Sequence, residues 1–168
     1  DFETIMPKIP VFDGTKPFQQ IPFQYSLHIL ESPDSELIHK EFLADPNADP
    51  RPEITQSLIS DLETRGTILC WNVAFERRII KELARDFPEY SEELEKTESR
   101  LMDLMLPFNK RWLYKTEMQN SASIKKVLPA LLPDFSYEDL NISDGGAASE
   151  IYLSMLEDRF QGNMAQTF

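Results

Sequence analysis

The chain has 168 residues, 41% of them hydrophobic and 11% aromatic, which is enough apolar material for one compact domain and too much for a disordered segment. Twenty-nine acidic residues against 17 basic ones give a formal charge of −12, disfavouring generic attraction to a polyanion or an anionic membrane surface. A single cysteine, Cys70, excludes an intrachain disulfide framework and a cysteine-built zinc site, and no apolar run approaches the ~20 residues that span a bilayer; a soluble, cytoplasmic protein without membrane contact is expected.

After Asp1-Phe2-Glu3-Thr4, read as part of a strand, comes a loop punctuated by Pro7, Pro10, Gly14 and Pro17. Phe23, Tyr25, Leu27 and Ile29 then alternate with Gln24, Ser26 and His28, the period of two that marks a half-buried strand. The turn composition of 31–35 leads to a second strand over 38–43, giving a β-hairpin. Glu53 is expected to open a helix carrying Ile54, Leu58, Ile59 and Leu62, with Gly66 as its stop. The apolar run 67–71 reads as a buried strand, and 74–87 as a helix with Phe75, Ile79, Ile80, Leu83 and Phe87 on one side.

Pro88 starts an acidic, solvent-facing helical segment to about Arg100, and 101–108 is apolar and open to either strand or helix. Ser123 can cap a helix bearing Ile124, Val127, Leu128 and Leu131, and Ser143 or Asp144 can cap another from Ala147 to about Phe160. Mixed strands followed by flanking helices predict an α/β domain with a central mixed β-sheet. The chain starts without methionine or leader and stops without a helix-ending signal; residues 1–168 are expected to be a single domain cut at both ends from a longer polypeptide with additional domains.

Asp1 and Glu3 lie two residues apart, so in a strand they project from the same face. Two adjacent like charges are costly without a positive charge between them, and a divalent metal would supply it; hard oxygen ligands suit Mg²⁺ or Mn²⁺. The second element is the run 68–77, in which a buried strand ends at Asn72, a helix follows, and Glu76 lies in the helix's first turn.

Together the two elements resemble the DEDD-type 3′-to-5′ exonucleases of the ribonuclease H-like fold, in which D-x-E on the first strand is followed by a strand ending in Asn and, four residues on, an Asp. Asp1 and Glu3 match the first motif, Asn72 and Phe75 match the second, and Glu76 stands where that family usually has Asp. Met102-Asp103-Leu104 and the 121–127 run are similar to segments before the third motif, and the likeness is greatest to a bacterial branch described as a domain of unknown function. The resemblance implies a ribonuclease H-like fold and hydrolysis of phosphodiesters at a DNA or RNA 3′ end by a two-metal site of Asp1, Glu3, Glu76 and Asp144. It places Thr4, Asn72 and Arg77 beside the substrate. Asp139 and Leu140 stand where the third motif has Tyr or His, so the fourth carboxylate is either Asp144 or a residue beyond Phe168. The alternative is a non-catalytic binding or scaffold module of the same fold within a larger nuclease.

The remaining polar residues have plainer readings. His28 and His39 are expected on the strand surface, Cys70 in the core, and Asp103 in a structural role. Trp71 and Trp112 are expected in packing ahead of base stacking. Arg77, Lys81 and Arg85 form one helix stripe, readable as a solvated face or, like Lys110, Arg111 and Lys115, as a track for phosphates.

Overall fold

The period-two alternation does build a strand, and its neighbours in sequence become its neighbours in space. In a computed structural model, which describes residues 1–135 and 145–165, β1 (Phe2–Ile5), β2 (Ile21–Ile29) and β3 (Ile38–Leu43) form an antiparallel sheet in that order. Phe2 pairs with Tyr25 and Tyr25 with Phe42, a row of aromatics across one face, and a register shift between Glu3 and Thr4 kinks β1. On the opposite face His28 and His39 stack at 4.4 Å, on the strand surface as their alternation predicts.

The helix α1 (Pro50–Leu62) starts three residues before the expected Glu53. Pro50 lacks the N–H that a first turn leaves orphaned, and Asp49 accepts the Arg51 N–H at 3.0 Å, so the start is set by the cap and not by the apolar run. It also ends before Gly66, at Leu62. Gly66, at φ +85°, instead turns the chain into β4 (Ile68–Cys70), and the Arg100 guanidinium donates to the carbonyls of Leu62, Glu63, Arg65 and Gly66 at the helix end.

Next comes α2 (Val73–Asp86), then a 3₁₀ turn (Pro88–Tyr90), α3 (Ser91–Ser99) and β5 (Leu101–Asp103). The ambiguous apolar run 101–108 is divided between β5 and α4 (Leu106–Asn109). A second 3₁₀ turn (Thr116–Met118), α5 (Ile124–Leu131) and α6 (Gly145–Ala165) complete the order.

The chain is thus α/β, but its described strands form two sheets: β4 and β5 pair in parallel, apart from β1–β2–β3. Among the described residues β1 pairs with no strand other than β2, and the space between β2 and β4 is a cavity of about 980 Å³. Among the described residues, three apolar clusters hold the elements together. Phe2, Tyr25, Ile54, Leu58, Ile79, Ile80, Leu83 and Leu94 pack the first sheet against α1, α2 and α3. Ile5, Ile21 and Phe23 meet Tyr152 and Leu156 of α6, with the Phe23 and Tyr152 rings stacked at 4.1 Å. Met118, Val127 and Ala130 pack with Trp71 and Phe108. Among the described residues no helix is long and apolar enough to cross a membrane.

Candidate functional site

Glu76 is carried into the interior by its own helix. Ile79, Ile80 and Leu83 bury one side of α2, and Glu76 lies within one turn of them, so its carboxylate enters with only 4% of the residue exposed. Its Oε2 is buried and, among the described residues, has no hydrogen-bond partner. Burial pushes the Glu76 carboxyl upward, helped by the charge of Asp103, while its own backbone N–H pulls the other way. An orphaned buried carboxylate oxygen is expensive, and a cation would satisfy it.

Asp1 extends the β1–β2 pairing by one residue: its backbone nitrogen donates to the Ser26 carbonyl and Ser26 N–H donates back to the Asp1 carbonyl, each at 3.0 Å. Asp1 and Glu76 line the same cavity, with Cys70 between the two elements. Glu3 is one pleat further along β1, opposite Gln24, and is not part of that lining. Asp1 and Glu76 are therefore on the wall of one cavity. No group of three or more His, Cys, Asp or Glu side chains poised for a metal occurs among the described residues. Asp144 lies outside the described residues, as do Asp139 and Leu140.

Asn72 occupies the position before α2, as expected, but its side chain does not cap the helix. Its backbone is left-handed at φ 68°, ψ 62°, a conformation Asn tolerates better than most residues, and this turns the side chain out of capping geometry. The turn is held instead by Asp103, whose Oδ1 accepts the N–H of Asn72 at 3.2 Å and of Met105 at 2.9 Å. The structural role expected for Asp103 is thus accounted for. Thr4 is engaged on both sides: its hydroxyl receives Gln20 Nε2 at 3.5 Å and its carbonyl receives Ser149 Oγ of α6 at 2.7 Å.

The basic stripe of α2 is not a free track. Arg77 Nε lies 2.9 Å from Glu98 Oε1, an ion pair without hydrogen-bond alignment, and Lys81 reaches the same oxygen at 3.5 Å. Arg85 pairs with Asp86 at 3.0 Å. Glu98, expected to face solvent with the rest of the acidic run, is drawn toward α2 by these two cations. Cys70 is half-buried, and burial first, then the Glu76 charge, push its thiol up to about 11, leaving it protonated and unreactive at neutral pH. The tryptophans separate: Trp71 stacks on Phe108 at 5.3 Å and donates Nε1–H to the Ala122 carbonyl at 3.1 Å, but Trp112 is 71% exposed, against the packing expected of it.

Sequence reasoning missed Arg51 and Arg100. Arg51 is 5% exposed and binds Asp49, Asp86 and the Asp13 carbonyl, and charged residues near helix starts are too common to single it out in advance.

A protein-family profile described as "Domain of unknown function (DUF2779)" matches residues 1–123. The uncharacterized protein MG366 of Mycoplasma genitalium and its Mycoplasma pneumoniae homolog, also uncharacterized, are each 28% identical over 171 residues, covering 92% of this chain and 26% of the relative. The chain therefore spans about a quarter of the length of these curated relatives. No solved structure matches.

Proposed function

The chain belongs to the DUF2779 family, and for this member we propose a metal-dependent 3′-to-5′ exonuclease activity, hydrolysis of terminal phosphodiesters of DNA or RNA by a ribonuclease H-like domain. One observation carries the reading. The Glu76 carboxylate is buried, has no partner for Oε2 among the described residues, and belongs to the wall of the cavity that Asp1 also lines. A buried carboxylate oxygen without a partner is costly, and a bound cation would offset that cost.

Mg²⁺ or Mn²⁺ held by Asp1, Glu3, Glu76 and either Asp144 or a carboxylate beyond Phe168 would supply Lewis acidity for the hydrolysis. The chain's own residues prepare the rest. Asp103 holds the turn that precedes Glu76, and the packed side of α2 carries Glu76 to the cavity wall. Asn72, left uncommitted by its left-handed backbone, has an amide available to a sugar or phosphate. Thr4 and Arg77 would border the substrate, Arg77 with its charge already shared with Glu98.

The alternative reading is a non-catalytic binding or scaffold module of the same fold; Glu76 in place of the family's Asp and the position of Glu3 outside the cavity lining favour it. The intact polypeptide, given 3′-labelled single-stranded DNA and RNA with Mn²⁺, is expected to shorten them from the labelled end, and Asp1→Ala or Glu76→Gln to lower the rate by at least about 100-fold. Intact substrate, or unchanged rates in both variants, would leave the module reading standing. Calorimetric titration with Mn²⁺ separates the cases further, since a heat that disappears in Asp1→Ala without any turnover describes binding alone.

A further inference from the structure

Residues 104–133 hold five basic residues (Lys110, Arg111, Lys115, Lys125, Lys126) and one acidic residue, Glu117, a net +4, so the rest of the chain carries −16 of the total of −12. This stretch is also one packing unit. The α4 helix, the 3₁₀ turn over 116–118 and α5 gather around Met118, Val127 and Ala130, and Trp71 closes the cluster through Phe108. Trp71 lies between β4 and Asn72, so the basic unit is anchored on the same junction that positions Glu76.

The tip of the unit is the run 110–115, Lys-Arg-Trp-Leu-Tyr-Lys. Two bonds to the Pro107 carbonyl, from Trp112 N–H at 2.8 Å and Leu113 N–H at 3.3 Å, pin its backbone, and Arg111 at φ 55° reverses the chain there. The result is a fixed loop that holds Trp112 at 71% exposure and Tyr114 at 44%. Among the described residues no carboxylate lies within salt-bridge distance of Lys110 or Arg111, whereas Arg77, Lys81 and Arg85 of α2 are all paired. Lys115 donates to the Ala130 carbonyl at 2.9 Å, which fixes its position without neutralising it.

We infer that the 110–115 loop is a docking surface for single-stranded nucleic acid, with Lys110, Arg111 and Lys115 following the phosphates and Trp112 and Tyr114 stacking on unpaired bases. Charge alone would suit any polyanion. Two exposed rings between three cations select a partner with both a charged backbone and open aromatic faces, which a duplex conceals and an acidic peptide lacks. The inference rests on the nucleic-acid part of the proposed function, yet it requires no turnover.

The test is therefore made in EDTA, where hydrolysis cannot contribute. Of the two tryptophans, Trp71 is packed against Phe108, so quenching on adding oligo(dT) reports chiefly on Trp112. Saturable quenching by oligo(dT), with duplex DNA and polyglutamate weaker by about 10-fold or more, is the expected result. By fluorescence anisotropy of labelled oligo(dT), Trp112→Ala should weaken binding about 10-fold and Trp112→Phe should retain most of it. A Lys110→Glu, Arg111→Glu double variant should flatten the log K against log salt plot by about 1 to 2. All three positions are on an exposed loop, and circular dichroism checks the folding of the variants. Absence of binding at low salt, unchanged affinity in the double variant, or equal affinity for duplex or polyglutamate would overturn the inference. Binding that persists in a protein found inactive with Mn²⁺ would remove the exonuclease reading and leave this one intact.

Discussion

At the scale of single residues, Glu76 links the fold to the chemistry through a proton. Its carboxyl is raised by burial above its unfolded value, so the folded state holds that proton more tightly than the unfolded chain does. The stability this contributes is complete below the unfolded carboxyl range and is lost as pH rises through the raised folded value; at neutral pH the ionised side chain is a cost. In metal-free buffer Glu76→Gln should therefore raise Tm at pH 7, by about 2 to 4 °C for each kcal/mol of relief, and the gain should vanish near pH 4. Thermal unfolding with circular dichroism at the two pH values measures it, and a lower Tm at pH 7 would mean that the carboxylate has a partner. Tyr25 gives the companion case. Burial, then the 2.6 Å bond to Asp61, push its hydroxyl up to about 12, so its contribution is complete below about pH 10 and fades as pH rises toward 12. Tyr25→Phe, which leaves Ser57 and Asp61 without this contact, should cost about 1 to 3 kcal/mol at pH 7 in urea unfolding, with the difference from wild type narrowing above pH 11.

Between elements, the long-range polar ties are what the sequence left hidden. Strands and helices were legible because period-two and helical apolar spacing are local signals; β3 falls on 38–43 as read, and α2 within one residue. Asp1 and Glu76, singled out by a family resemblance over most of the chain, both line the one cavity, while whether they act together is for the assays to decide. What could not be read is where a side chain goes when its partners are distant. Arg51 joins the start of α1 to the end of α2 through Asp86 at 3.1 Å and to the proline-rich loop through the Asp13 carbonyl at 2.7 Å. Burial alone would lower Arg51, but the bonds and charges of Asp49 and then Asp86 outweigh it and raise it above its ordinary value. Arg51→Ala would take from Asp49 its ion-pair partner and leave Asp86 with Arg85 and Gln19, so about 2 kcal/mol of destabilisation is expected, below what removing one partner of an isolated buried pair costs. Arg51→Lys should recover only part of this, because an ammonium cannot span Asp49 and Asp86 as a planar fork does. Chemical denaturation of both variants tests the pair, and near-wild-type stability in the alanine variant would contradict the role given to the network.

For the molecule as a whole, the apolar cores are unequal. The first sheet, α1, α2 and α3 share eight buried residues, whereas 104–133 rests on Met118, Val127 and Ala130 with help from Trp71, Phe108 and Leu131. Local opening requires least work where least apolar surface is buried, so the basic unit should open before the rest of the described chain. Its attachment includes two Trp71 contacts, the Phe108 stack and the bond to the Ala122 carbonyl, both made by a residue adjoining Asn72. Opening would therefore loosen the turn that aims Glu76, coupling the surface proposed to hold a strand to the carboxylate proposed to act on it. In native-state hydrogen exchange, amides of α5 should show an opening free energy below that of α1 and α2. Trp71→Phe should lower the α5 value further while changing the α1 value little, because phenylalanine keeps a ring against Phe108 but loses the indole donor. Oligo(dT) should raise the α5 value in wild-type protein, since a ligand of the closed unit stabilises it by mass action. Uniform exchange across α1, α2 and α5 would instead describe one cooperative body, in which strand binding and the Glu76 turn have no separate equilibrium to link them.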